Sequence, residues 1–155
     1  MSTIKDKNLS TVGQQEVDWA ARQMKVLEEI KTEFSSNKPL NGLSIGACMH
    51  VTKETANLML TLKAAGANVA LCASNPLSTK DSVAAYLAEN DVEVHAVHGV
   101  SNDEFFKHLN SVLDTKPDIT MDDGADLVSL NLANKLTIDP ENIDTIENLK
   151  KLLGG

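Results

Sequence analysis

In the stretch CMHVTKETA, Cys48–Ala56, a histidine, a threonine and a glutamate stand at alternate positions, as His50, Thr52 and Glu54. An imidazole can give or take a proton near neutral pH. A hydroxyl both donates and accepts hydrogen bonds, and an ionised carboxylate only accepts. Further along, Ser74, Asn75, Ser78 and Thr79 sit in ASNPLST, and Asp122, Asp123 and Asp126 sit in MDDGAD. Each group also has a plainer reading. Thr52 can cap a helix, and Glu54 suits the positive end of that helix's dipole. Ser78-Thr79-Lys80-Asp81 matches the capping box S-x-x-[DE]. Asp122-Asp123-Gly124 can be a turn, although adjacent carboxylates plus Asp126 repel one another. His50 adds nothing to capping; its plainer reading is a satisfied, partly buried histidine. His95 and His108 read as structural.

Two chemistries fit poorly. Three Asp within five residues could hold a hard cation, but the spacing is not that of an EF-hand loop, so no metal site is expected. A Ser-His-Asp hydrolase lacks its G-x-S-x-G elbow. The residue pattern by itself stops at a polar small-molecule site.

The elements that would position these groups alternate. Val17, Ala20, Ala21, Met24, Leu27, Ile30 and Phe34 recur at helical spacing and predict a helix over 13–35. Pro39 and Gly42 then break the chain. Strands are expected at 43–48, 68–73, 92–97 and 118–122, with helices at 52–66, 79–89 and 101–115 between them. Strand-helix alternation implies a parallel sheet covered by helices. The expected fold is α/β: a three-layer open parallel sheet of at least four strands, Rossmann-like or flavodoxin-like, with an N-terminal helix and a C-terminal helical tail. In such sheets ligands collect beyond the carboxyl ends of the strands, where His50, Thr52, Glu54, Ser74, Ser78, His98 and Asp123 all fall. Residues 1–135 are expected to form this domain, and 136–155 an appended tail with a helix near 143–153.

Composition narrows the class. The 155 residues are 42% hydrophobic and only 3% aromatic, so the core must be aliphatic. With 22 acidic and 14 basic residues, a formal charge of -8, the surface repels phosphate backbones and anionic lipid. Nucleic acid and membrane are therefore not expected partners. No apolar stretch reaches the roughly 18 residues of a membrane span, and residues 1–12 lack a signal peptide's apolar centre. Cys48 and Cys72 read as buried strand-end thiols in a reducing compartment. A cytoplasmic location is expected.

Four stretches, DWAARQMKVLEEIK, KPLNGLSIGACMHVTKETANLMLTLKAAGANV, CASNPLSTKDSVAAYL and PDITMDDGADLVSL, resemble signatures of the S-adenosylhomocysteine hydrolases in order and separation. The likeness covers about residues 8–130 and points to the N-terminal part of the substrate-binding domain. The resemblance implies reversible cleavage of S-adenosylhomocysteine to adenosine and homocysteine. In the full-length family a bound NAD oxidises the ribose 3′-hydroxyl, which acidifies the neighbouring carbon proton and permits elimination of the thiol. It also implies that Thr52 and Glu54 contact the adenine edge, that His50 and Asp123 aid proton transfer near the 5′ position, and that Ser78 lines the substrate site.

The departures limit what carries over. Ala125 stands where the family commonly has Gly, and Lys80 where it usually has Gln. Beyond about residue 130 the signatures fail, with no Glu-Glu-Thr-Thr-Thr-Gly stretch and no G-x-G-x-x-G. No cofactor is expected on this chain and no NAD-binding domain, so the chain alone is expected to be inactive. Adenosine or S-adenosylhomocysteine would bind weakly. The alternative is a stand-alone nucleoside-binding module, or an interaction protein that meets a protein partner or itself through the tail.

Overall fold

Four short strands form, β1 (Ser44–Cys48), β2 (Asn68–Cys72), β3 (Glu93–His95) and β4 (Ile119–Asp122). The structure, a computed structural model, describes residues 1–135. The tail helix expected near 143–153 lies outside the described residues. The strands pair in the order β3-β2-β1-β4, every pair parallel. Around them run α1 (Ser10–Ala21), α2 (Lys25–Asn37), α3 (Lys53–Ala64), α4 (Asp81–Glu89), α5 (Asn102–Asp114) and α6 (Asp126–Lys135). This is the expected open parallel α/β sheet. Of the two doubly wound orders, it follows the Rossmann-like one.

Strand alternation sorts the core into two layers. Ile45, Ala47, Val69, Leu71 and Val94 face one side and pack with Val17, Met59, Val83 and Leu87 from α1, α3 and α4. Cys48, Ala70 and Cys72 face the other and meet Phe105, Leu109 and Val112 of α5 and Leu127 of α6. Small residues on this second face let α5 lie close. A Cβ on Gly46 would stand 2.9 Å from Pro117 Cγ. Cys48 and Cys72 are register partners and free, buried thiols, as the sequence suggested. The hydrogen bond from Cys48, then burial, push the Cys72 thiol far up, which makes it inert.

The single helix expected over 13–35 is two helices. Met24 leaves helical geometry at φ -108° and ψ 52°. Neither Gly nor Pro marks the break; packing does. α1 lies against both α3 and α4, burying Val17 and Ala20, whereas α2 lies on α3. Gly13 permits the α1–α4 approach, since a Cβ there would come within 2.0 Å of Ser82 O. Among the described residues no helix is long and apolar enough to cross a membrane.

The order of the strands fixes where a site can form. The chain runs outward from β1 to β2 and β3, then returns to place β4 on the other side of β1. The loops leaving β1 and β4 therefore part at their carboxyl ends. A crevice at such a switch point is where open α/β sheets bind ligands.

Candidate functional site

His50 and Asp123 flank that switch point. Asp123 N–H donates to Cys48 O (3.0 Å), extending the β1–β4 ladder by one rung. Its carboxylate Oδ2 accepts from the His50 backbone N–H (3.2 Å) and lies 3.3 Å from His50 Nδ1. On the other side the β1 and β2 loops are zipped together. Val51 N–H donates to Ser78 O (2.8 Å), and Lys80 N–H donates to Val51 O (3.0 Å). This parallel bridge between Val51 and Thr79 carries the ASNPLST loop over to His50. Ser74 Oγ ends 2.7 Å from His50 Nδ1.

Thr52 is the N-cap of α3, its Oγ1 accepting from Thr55 N–H (3.3 Å), and Glu54 stands in the first turn. The capping expected of Thr52 is therefore real. The capping box expected at Ser78 is not. α4 begins at Asp81 behind Lys80, which makes no side-chain cap. Ser78 Oγ instead closes the Asn75 turn, accepting from Asn75 N–H and donating to Asn75 O, both at 3.0 Å. The described capping box is Ser101 with Glu104 on α5, where the Ser101 hydrogen bonds hold the Glu104 carboxyl below the usual range.

His50, Thr52, Glu54 and Ser78 line one cleft of about 470 Å³, a size that suits a small ligand. Asp123 sits behind His50 and holds it. Leu77 and Val83 add apolar wall, and Glu16, Lys53, Lys80 and His98 complete the polar lining. Both ammonium groups are matched. Lys80 Nζ is 3.2 Å from Glu16 Oε1. Lys53 Nζ is 4.0 Å from Glu54 Oε1 and 3.9 Å from the Trp19 ring centroid. Two carboxylates against two ammoniums leave the lining without net charge, in contrast to the chain's -8. Such a cleft suits an uncharged polar molecule better than a phosphorylated one.

The acidic run divides its labour. Asp122 accepts from Gly124 N–H (3.1 Å) and Val128 N–H (3.0 Å), which anchors the start of α6. Asp123 serves His50. Asp126 opens α6. No cluster of three potential ligands placed to hold a metal exists among the described residues. Ala125 between them adopts φ 64°, the left-handed region where glycine is unstrained. His95 and His108 are buried away from the cleft.

A dinucleotide does not fit the β1 turn. The diphosphate of such a cofactor needs a glycine-rich approach to a helix N-terminus. Here that turn is Met49-His50-Val51-Thr52, with Val51 buried and both its backbone groups committed to the β2 loop.

Fold and cleft together define an open parallel α/β domain that presents a charge-balanced polar crevice at the carboxyl ends of β1 and β2, beside its switch point. The sequence profile of the S-adenosyl-L-homocysteine hydrolase family matches residues 1–151, further than the signatures that fade near residue 130. The chain is 50% identical over 127 residues to an adenosylhomocysteinase of Aquifex aeolicus, covering 81% of this chain and 30% of that protein. It is 44% identical over 138 residues to the Thermococcus kodakarensis adenosylhomocysteinase, covering 89% and 33%. An S-inosyl-L-homocysteine hydrolase of Methanococcus maripaludis is 46% identical over 130 residues, covering 84% and 31%. The chain belongs to the S-adenosyl-L-homocysteine hydrolase family and spans about 30% of the length of the curated relatives it matches.

Proposed function

We propose that the chain supplies the nucleoside-binding side of an S-adenosylhomocysteine hydrolase site, and that alone it binds nucleoside weakly without turnover. The observation that carries this reading is the convergence of His50, Thr52, Glu54 and Ser78 on one charge-balanced cleft, with Asp123 bonded to His50. Glu54 accepts from a donor on the base edge, and Thr52 keeps an acceptor position beside its capping bond. His50, held by Asp123, moves a proton near the 5′ carbon, a contribution worth about 10²–10⁴-fold in rate. When NAD is bound to a full-length enzyme it supplies the oxidation at the 3′ carbon. The β1 turn does not suit its diphosphate, and His50 and Asp123 cannot replace that oxidation, because the unactivated carbon proton is too weakly acidic. A cytoplasmic setting accords with the two thiols.

Calorimetric titration with adenosine tests the binding. A saturable isotherm in the high-micromolar range or weaker, lost in Glu54→Ala, is expected. Heat unchanged by that substitution would overturn the role of Glu54. The purified chain with S-adenosylhomocysteine and added NAD, followed by a thiol assay, tests the inactivity. Homocysteine release above the no-protein control would refute it. Because one similar relative is named for the inosyl compound, inosine belongs in the same titration.

A further inference from the structure

The hydrogen bonds around His50 form a chain whose directions can be worked out from proton counts. Ser78 Oγ has one proton and two lone pairs. It sits 3.0 Å from Asn75 O, 3.0 Å from Asn75 N and 3.3 Å from Ser74 Oγ. Asn75 N–H can only donate, so Ser78 accepts there; Asn75 O can only accept, so Ser78 donates there. The proton between the two serines is then Ser74's. With its only proton directed at Ser78, Ser74 Oγ must accept at its short 2.7 Å contact with His50 Nδ1. Asp123 Oδ2, 3.3 Å from the same nitrogen, likewise only accepts. Both contacts therefore need a proton on Nδ1.

The reversed chain is worse. It would have Ser78 donate to Ser74 and Ser74 donate to a bare Nδ1. That keeps the short Ser74–Nδ1 bond and leaves Asn75 O with the Ser78 N–H at 3.2 Å. But it sets the nitrogen lone pair against a carboxylate oxygen at 3.3 Å, a repulsive contact that the first arrangement turns into an attractive one.

We infer that Ser74 is a positioning residue: anchored by Ser78, it accepts the Nδ1 proton of His50, fixes that tautomer and leaves Nε2 as the basic atom. His50 Nε2 has no hydrogen-bond partner among the described residues, and the side chain is 58% exposed. The free lone pair is thus available to a ligand in the cleft. Asp123 supplies the charge that steadies the imidazolium once Nε2 takes a proton. Ser74 supplies the directional contact that settles which nitrogen is free beforehand. The inference deepens the reading of His50 as the proton-moving group and rests on it for its functional meaning. The tautomer itself is independent of that reading.

The test is long-range nitrogen–proton correlation on the imidazole-¹⁵N-labelled full chain, recorded at alkaline pH, where the nitrogen shifts themselves report a neutral ring. In the native chain Nδ1 should give the protonated, pyrrole-type shift and Nε2 the bare, pyridine-type shift. Ser74→Ala should raise the Nε2–H to Nδ1–H ratio about 2- to 10-fold, the equilibrium weight of one hydrogen bond. Ser74→Thr, which keeps an oxygen at the same place, should restore it. Ser78→Ala frees the Ser74 proton to turn toward Nδ1 and should move the ratio the same way. That gives a second readout if Ser74→Ala fails to fold. Protonated Nε2 in the native chain would overturn the inference. So would a ratio unmoved by both Ser74→Ala and Ser78→Ala, because Asp123 would then set the tautomer unaided. Adenosine titration of the same samples separates the two readings. Loss of binding with the native tautomer intact faults the nucleoside reading, and binding with the opposite tautomer faults Ser74.

Discussion

Substituting Asp123 separates a residue that holds the site from one that holds the fold. Its Oδ2 accepts two bonds from one residue, from His50 N–H at 3.2 Å and from Nδ1–H at 3.3 Å. Bonds to a charged acceptor are worth about 1.5–3 kcal/mol when well buried. Here the side chains are 58% and 40% exposed, so water replaces much of what is lost and solvent screening reduces the pair. Asp123→Ala should therefore destabilise the chain by about 1–2 kcal/mol. That lowers the melting temperature by roughly 2–8 °C at this size. Asp123→Asn keeps an acceptor oxygen for both donors and loses only charge, so its cost should stay below about 1 kcal/mol. Urea unfolding followed by circular dichroism gives both values from the midpoints. Equal losses for Ala and Asn would mean that charge, not acceptance, holds His50. A loss above about 4 kcal/mol for either would make Asp123 a structural strut, and the partition of the acidic run would be wrong.

Gly13→Ala should destabilise by about 1–3 kcal/mol despite alanine's better helix propensity, because its Cβ would meet Ser82 O at 2.0 Å; a stability gain would contradict the α1–α4 packing. Ala125→Gly should stabilise by a few tenths to about 1 kcal/mol, since it relieves φ 64° at a lesser cost in unfolded-chain entropy; a loss in the same urea assay would show that the left-handed turn is not strained. Burial holds the His95 imidazole below its ordinary value, and burial followed by repulsion from His95 does the same for His108. A depressed pKa means that the unfolded chain binds the proton more readily. The stability from neutral histidine is thus complete above about pH 6.5 and is lost as pH falls through the folded values. The urea midpoint should be flat above that value and drop below it, and His108→Gln should flatten the drop; a midpoint that rises on acidification would contradict the sign.

Much of the fold is legible because its signals are local and agree with one another. The apolar runs around Ile45, Val69 and Val94 read as strands, and their alternation with helical spacing implies a parallel sheet. The break between Ala21 and Lys25 was illegible, since nothing in ARQMK punctuates a helix and the turn exists only because α1 must reach α4. Ser78 matched a capping box in type and spacing, yet its hydroxyl closed a nearer turn, a competition that sequence spacing cannot decide. Ser101, with Glu104 three residues on, matched the same pattern and does cap. α6 escaped because DLVSLNLANK is short and weakly amphipathic, and its anchor, Asp122, acts from outside it. His50, Thr52, Glu54 and Asp123 were legible as strand-end polar groups. Ser74 was visible only as one more polar residue after β2. Its contact with His50 depends on the Val51–Thr79 bridge, a long-range pairing with no local trace.

Mapping adenosine onto the chain tests the central claim most directly. In amide spectra of the ¹⁵N-labelled chain, titrated adenosine should shift the resonances of His50, Thr52, Glu54, Ser78 and Lys80, around the cleft at the carboxyl ends of β1 and β2. A larger, more apolar groove of about 670 Å³ between α2 and α3 shares Glu54 with the cleft, but its own residues Met24, Leu27, Ile30 and Leu58 should stay unmoved. Shifts confined to that groove, or none at saturating nucleoside, would contradict a nucleoside site at the carboxyl ends of β1 and β2.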